Sequence, residues 1–464
     1  MPPIEKLLVA NRGEIAVRII RACQELGIKT VVLYSEADKE SLHVRMADQA
    51  VCIGPPPPAR SYLNMNMILS ACVATKADAI HPGYGFLAES AEFSEACSQK
   101  HIRFVGPSGE VIGKMGNKIA AREAAAAVNV PIVPGKKEGV SSLEEVIPVA
   151  ETIGYPFLLK AAAGGGGRGI QLVDDERNLK EAFLRAQAEA QTAFGDGTLY
   201  VEKWIKNARH VEVQVLLDGY GNGIHLGERD CSLQRRHQKL LEESPCTVID
   251  DGLRKELTQA GLAFARSVGY SSAGTVEFIF DQDEKRFYFM EMNTRIQVEH
   301  PVTEMLTGVD IIKEQIHIAA GEKLSISQEQ VVSRGHAIEC RINAEDPTKD
   351  FSPNPGTITK IVFPGGPGVR TDSHCYSGYN ISPFYDSLIA KLIVMDRNRQ
   401  ETIRRMERAL KEFEVQGIAT TIPFHLGVLQ HPRFLSGNYN TRWIEESFFR
   451  GENKSSTDDN LSNP

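Results

Sequence analysis

The chain has 464 residues, 42% of them hydrophobic and 24% charged, an ordinary globular balance that excludes wholesale disorder and gives length for roughly two to four domains. Its net charge of -8, from 52 basic and 60 acidic residues, argues against nucleic acid or a membrane surface as a general partner but permits a local basic pocket. Eight scattered cysteines without a C-x-x-C pair, an opening unlike a leader and no apolar run of membrane-spanning length point to reduced thiols in the cytoplasm.

In chain order, residues 6–10 read as a buried strand. Residues 14–26 read as a helix, with Ile15, Ile19, Ala22, Cys23 and Leu26 at helical spacing and a stop at Gly27. A second strand is expected at 30–35, and shorter ones at 50–53, 79–81 and 102–105, with helices between them. That rhythm is a doubly wound α/β domain with a parallel sheet, expected over 1–114. The turn Asn11-Arg12-Gly13-Glu14 lacks G-x-G-x-x-G, so no dinucleotide site is expected there. The proline run 55–58 predicts an exposed loop. Near residue 115 the pattern changes to an alanine-rich helix at 118–128, then Pro131, Pro134 and a compact segment at about 132–203 that carries a glycine run. Strands dominate from 199 to 291, broken by a helix at 253–268, and this central unit is expected over 115–330. A strand-and-turn region with a helix at 400–413 predicts a mixed α+β unit over 331–447, and residues 448–464 read as a disordered tail.

Three stretches carry chemistry. Residues 157–169 run from a strand ending on Lys160 into Gly164-Gly165-Gly166-Gly167-Arg168-Gly169, a loop whose amides can close around phosphate oxygens. No G-K-[ST] follows, so it is not a Walker A loop, and a bare linker would more typically carry serine. The expected strands 275–280 and 287–293 put Glu277 and Glu291 directly opposite each other if the loop between them is odd in length, 282–286 being the natural choice; Asn293 then shares their face. Opposed carboxylates repel, and a Mg²⁺ or Mn²⁺ between them reverses the sign. The loop that leaves this strand holds Arg295, Gln297 and Glu299, which read as an anion clamp, a polar contact and a base. Residues 209–217 alternate His210, Glu212 and Gln214 against valines, as a half-buried strand would. Arg235, Arg236, His237 and Lys239 then form a basic run that suits an anionic pocket better than RNA, since no aromatics interleave.

Together these segments resemble the biotin carboxylase family of the ATP-grasp superfamily across nearly the whole chain. The resemblance rests on 11–16 (Asn-Arg-Gly-Glu-Ile-Ala), 81–86 (His-Pro-Gly-Tyr-Gly-Phe), 115–118, the glycine run, 228–239, 291–304 and 339–345. It implies an N-terminal parallel-sheet domain, a central ATP-grasp domain with a mobile glycine lid, and a C-terminal α+β domain. It implies that Lys118, Lys160, Gly165, Gly166, Gly167, Glu202, His210, Gln234 and His237 contact ATP, with Lys203 and Ile205 at the adenine. Glu277, Glu291 and Asn293 would hold two Mg²⁺ or Mn²⁺; Lys239, Arg295, Gln297, Val298 and Glu299 would take bicarbonate; Tyr84, Gly85, Gln297 and Arg341 would take biotin. The reaction implied is deprotonation of bicarbonate by Glu299, attack on the γ-phosphoryl group to give carboxyphosphate, its breakdown to CO₂ and a phosphate that takes the biotin N1′ proton, and capture of CO₂ by the resulting enolate, stabilised by Arg341.

One departure from the family pattern is Ala163, where some relatives carry a further glycine. No Met-Lys-Met attachment motif is present, so biotin is expected on a separate biotin carboxyl carrier protein, with carboxyltransferase subunits as further partners and a homodimer as the usual assembly. This favours a subunit of acetyl-CoA carboxylase, with propionyl-CoA, another acyl-CoA or pyruvate carboxylase as the alternative. An ATP-grasp ligase for another acid, or an ATP-sensing module, are the competing readings.

Overall fold

The computed structural model describes residues 2–136, 138–162 and 169–448. Gly164 to Gly167 and Arg168, hence the expected phosphate contacts of Gly165, Gly166 and Gly167, lie outside the described residues, as does the tail from 449.

The N-terminal sheet is parallel, in the order Gln49–Cys52, Lys29–Tyr34, Lys6–Val9, Ala79–His81, Arg103–Phe104. The chain starts in the middle and builds outward in both directions, so the strand order reverses beside Lys6–Val9, the place where open α/β sheets leave a crevice. Loops leave both central strands there. Asn11 Nδ2 donates to the carbonyls of Pro82 and Tyr84 at 2.6 and 2.7 Å and so fixes the turn that carries Tyr84. Gly83 is required: its φ is +63, and a Cβ would lie 2.8 Å from Asn11 Nδ2. The helix Gly13–Glu25 packs Ile15, Ile19 and Cys23 on this sheet, as its spacing predicts. The proline run is half-buried rather than exposed, and the Tyr385 hydroxyl reaches in from a distant segment to donate to Pro56 O at 2.5 Å.

A small antiparallel sheet, Ile170–Val173, Phe157–Ala161 and Leu199–Lys203, is backed by the helix Glu176–Phe194. Asp175 caps that helix at its start, accepting from Arg177 and Asn178 N–H, and Gly195 ends it in the left-handed region.

The third sheet has eight antiparallel strands in the order Arg286–Asn293, Ser272–Asp281, Ala208–Leu217, Gly223–Arg235, Gln238–Ser244, His336–Asn343, Leu388–Asp396, Val369–Ser373. It continues without a break across residue 330. One face packs on the helix Asp251–Ser267 through Phe264, Phe278 and Phe289. Ala208–Leu217 is buried on both faces, not half-buried as its alternation suggests, because its polar side chains lie under a network of charges rather than in water.

The hairpin pairs Glu277 with Glu291, as expected, but by a different route. Asp281 pairs with Arg286, leaving the even turn 282–285. A bulge at Met290, between the pairs Glu277–Glu291 and Phe278–Phe289, restores the register.

Candidate active site

Because Glu277 and Glu291 face each other across adjacent strands, and Glu212 pairs with Glu277 on the next, three carboxylates form one row across the sheet. Lys239 enters this row from the neighbouring hairpin. Its ammonium lies 2.6 Å from Glu212, 3.0 Å from Glu277 and 2.7 Å from Glu299. Glu277 also accepts from Asn293 Nδ2 at 2.8 Å and Gln297 Nε2 at 3.1 Å, and meets His210 Nε2 at 2.9 Å. Burial alone would raise the Glu277 carboxyl; Lys239 and His210 overcome it and hold the group below the usual carboxylate range. His210 is fixed on its other nitrogen by the Gln234 amide at 2.6 Å.

Glu299 is fully buried. Burial would neutralise it, yet Lys239, Arg341 and Arg229 keep it ionised, its carboxyl well below the usual range. Arg341 Nη2 reaches Glu299 at 2.8 Å while its Nε donates to Glu242 at 2.7 Å. Arg295 donates to Gln297 at 2.9 Å and Asn293 at 3.1 Å, and the Val298 carbonyl accepts from Lys391 at 2.9 Å. The Tyr84 hydroxyl donates to Glu14, which takes Lys391 at 2.9 Å; Gly85, at φ +68, turns the chain just beyond.

On the opposite wall, Lys160 and Arg122 both bond Glu202. Burial pushes the Lys160 ammonium down to about 7, Lys118 and Arg122 reinforcing it, while the Glu291 carboxylate opposes. Lys118 Nζ lies 3.3 Å from Glu291 and links this wall to the carboxylate row. Ile205 packs with Val133, Ala208 and Tyr288 in a small apolar cluster, beside Lys203, which pairs with Glu284 at 2.8 Å.

The basic run divides, contrary to the single anionic pocket its spacing suggests. Arg236 and His237 form the hairpin tip at φ +49 and +63. Arg235 and Arg236 turn outward to Asp350, at 2.8 Å from Arg236, and Arg235 lies over the Phe351 ring. Only Lys239 enters the carboxylate row, and His237 stands exposed at the tip without a bond to the cluster.

Sequence reading missed Arg122, Glu89, Glu242 and Lys391. Arg122 had a signal, since it lies one helical turn after Lys118 on the alanine-rich helix. Glu89, which accepts from Arg295 Nε at 2.9 Å, had none, being about two hundred residues away in sequence. Lys391 reads as a lone charge in an apolar strand, a weak cue to a buried pair.

The carboxylate row suits a hard divalent cation: Glu277, Glu291 and Asn293 offer oxygen donors on one face, and cations already crowd them. A lysine-bearing sheet facing such a row across a cleft defines an ATP-grasp ligase. Family models match almost end to end: Biotin carboxylase, N-terminal domain over 3–112, Carbamoyl-phosphate synthase L chain, ATP binding domain over 117–327, and Biotin carboxylase C-terminal domain over 339–446. Biotin carboxylase 1 of Bacillus subtilis is 58% identical over 95% of this chain and 98% of its own. A pyruvate carboxylase subunit of Methanothermobacter thermautotrophicus is 52% identical over 95% of this chain and 89% of its own. The biotin carboxylase domain dimer of Hydrogenobacter thermophilus 2-oxoglutarate carboxylase, solved with MgADP, ADP and bicarbonate, superposes with a TM-score of 0.92 at 50% identity, covering 96% of this chain and 98% of that one. The chain belongs to the biotin carboxylase family, and its activity is the ATP-dependent carboxylation of biotin. Among the described residues, no helix is long and apolar enough to cross a membrane.

Proposed function

We propose that the chain carboxylates biotin presented by a carrier protein, as a homodimeric subunit of an acyl-CoA carboxylase, with acetyl-CoA as the final acceptor. Pyruvate is the second reading, favoured by the relative that belongs to a pyruvate carboxylase. One observation carries the site assignment: a fully buried, ionised Glu299 held between Lys239 and Arg341 beside the carboxylate row. Bicarbonate binds by taking over the donors of Lys239, Arg295 and Gln297 and the Val298 N–H, and Glu299 accepts its proton. The same donors neutralise the charge that develops as bicarbonate oxygen attacks phosphorus. Lys118, Lys160, Glu202, His210, Gln234 and His237 hold ATP, with the glycines 165–167 over its phosphates and Lys203 and Ile205 at the base. Mg²⁺ or Mn²⁺ at Glu277, Glu291 and Asn293 supplies charge neutralisation to the phosphates. Arg341, with Tyr84, Gly85 and Gln297, receives the ureido ring and stabilises its enolate.

The test is bicarbonate-dependent ATP hydrolysis with and without free biotin. Stimulation by biotin that is lost in Arg341→Ala, with MgATP binding retained, is the expected outcome. Hydrolysis indifferent to both bicarbonate and biotin would sink the reading.

A further inference from the structure

Glu242 and Glu339 are direct partners across the strands Gln238–Ser244 and His336–Asn343, and neither has any exposed surface. Like charges so placed destabilise a sheet. Glu242 Oε1 accepts from Arg341, but its Oε2 and both oxygens of Glu339 have no hydrogen-bond partner among the described residues. The charged groups around the pair are Arg341, Lys239, Lys391 and Glu299. Each of these cations already bonds another acceptor: Lys239 and Arg341 meet Glu299, and Lys391 meets Glu14. Among the described residues, no cation is left for Glu339.

We propose that Glu242 is a positioning residue for Arg341, and that it can act as one because Glu339 remains a neutral carboxylic acid. An ionised Glu242 fixes the guanidinium through both Nε, at 2.7 Å, and Nη2, at 2.5 Å, and so holds Nη2 within 2.8 Å of Glu299 and turned toward the acceptor. A neutral Glu339 removes the repulsion that would otherwise keep Glu242 protonated; the protons concerned exchange with solvent. Desolvation agrees with this order: burial pushes Glu339 well above the usual carboxylate range, whereas Glu242, with Arg341 opposing burial, reaches only about 7.

The inference rests on the site reading for Arg341 and is tested in two arms. In the first, kcat/KM for free biotin is followed against pH. The wild type is expected to rise through an ionisation near 7, the deprotonated form being active. In Glu242→Gln that ionisation disappears and kcat/KM for biotin falls about tenfold at about pH 8, with KM for MgATP within about twofold. An unchanged biotin pH profile in Glu242→Gln overturns the positioning role. The second arm needs no turnover. Difference infrared spectra of the intact wild-type chain at about pH 8 should retain the C=O stretch of a protonated carboxyl, lost in Glu339→Gln. Absence of that band in the wild type overturns the neutral Glu339. A chain that gives the band but no biotin-stimulated turnover refutes the functional reading instead.

Discussion

Glu299 is buried to its last atom yet ionised, because Lys239 and Arg341 reach it at 2.7 and 2.8 Å. In the proposed reaction this carboxylate is the base, and a residue of similar shape without the charge could not replace it. Glu299→Gln should lower bicarbonate-dependent turnover about 10²- to 10⁴-fold while MgATP still binds, as measured by steady-state hydrolysis beside nucleotide titration. Glu291 is the counterpart on the nucleotide side, with Lys118 at 3.3 Å. Glu291→Gln should raise the Mg²⁺ concentration needed for half-maximal turnover by about tenfold, one oxygen donor having become a neutral amide; unchanged Mg²⁺ dependence would remove it from the metal set. At this scale the sequence was informative where candidate residues cluster in one short run, as Arg295, Gln297 and Glu299 do. It was silent on Glu89 and Glu242, which reach the same site from distant segments and differ in no local way from ordinary surface glutamates.

The strand Gln238–Ser244 places neighbouring glutamates in opposite environments, because successive side chains leave a strand on opposite faces. Glu242 turns to Arg341. Glu243 turns to His336 at 2.7 Å and Arg399 at 2.6 Å; burial would raise its carboxyl, but the Arg399 charge and the His336 hydrogen bond hold it well below the usual range. Its contribution to stability is therefore full above the unfolded carboxylate pKa of about 4.3 and is lost as pH falls through the lower folded value. Glu243→Gln should destabilise the fold by about 2–3 kcal/mol at neutral pH, because the half-buried Arg399 loses its carboxylate partner. Denaturant titrations should show this loss at neutral pH and its disappearance in strong acid. The Arg286–Asn293 strand teaches a different lesson. Its pairing of Glu277 with Glu291 could be anticipated from chemistry, but not the bulge at Met290 that produces it; many turn and bulge combinations give one register.

Across the whole molecule, Lys391 ties distant parts together. It lies fully buried on the strand Leu388–Asp396, pairs with Glu14 of the first helix at 2.9 Å and donates to the Val298 carbonyl beside the anion site. Lys391→Met should cost about 3–5 kcal/mol by leaving Glu14 without its cation, and should raise KM for bicarbonate more than KM for MgATP. Thermal unfolding and paired substrate titrations check both; loss of stability without the KM split would confine Lys391 to packing.

The sequence by itself determined the N-terminal parallel sheet and the ATP-grasp class, because these depend on local periodicity and on chemically unusual short runs. Tertiary structure alone decided that Arg235 and Arg236 turn away from the cleft while Lys239 enters it, that Ala208–Leu217 is buried on both faces, and that Glu242 and Glu339 meet. Each of these depends on which strands become neighbours in the eight-stranded sheet. That order is set by burial summed over the whole chain, and no window of the sequence contains it.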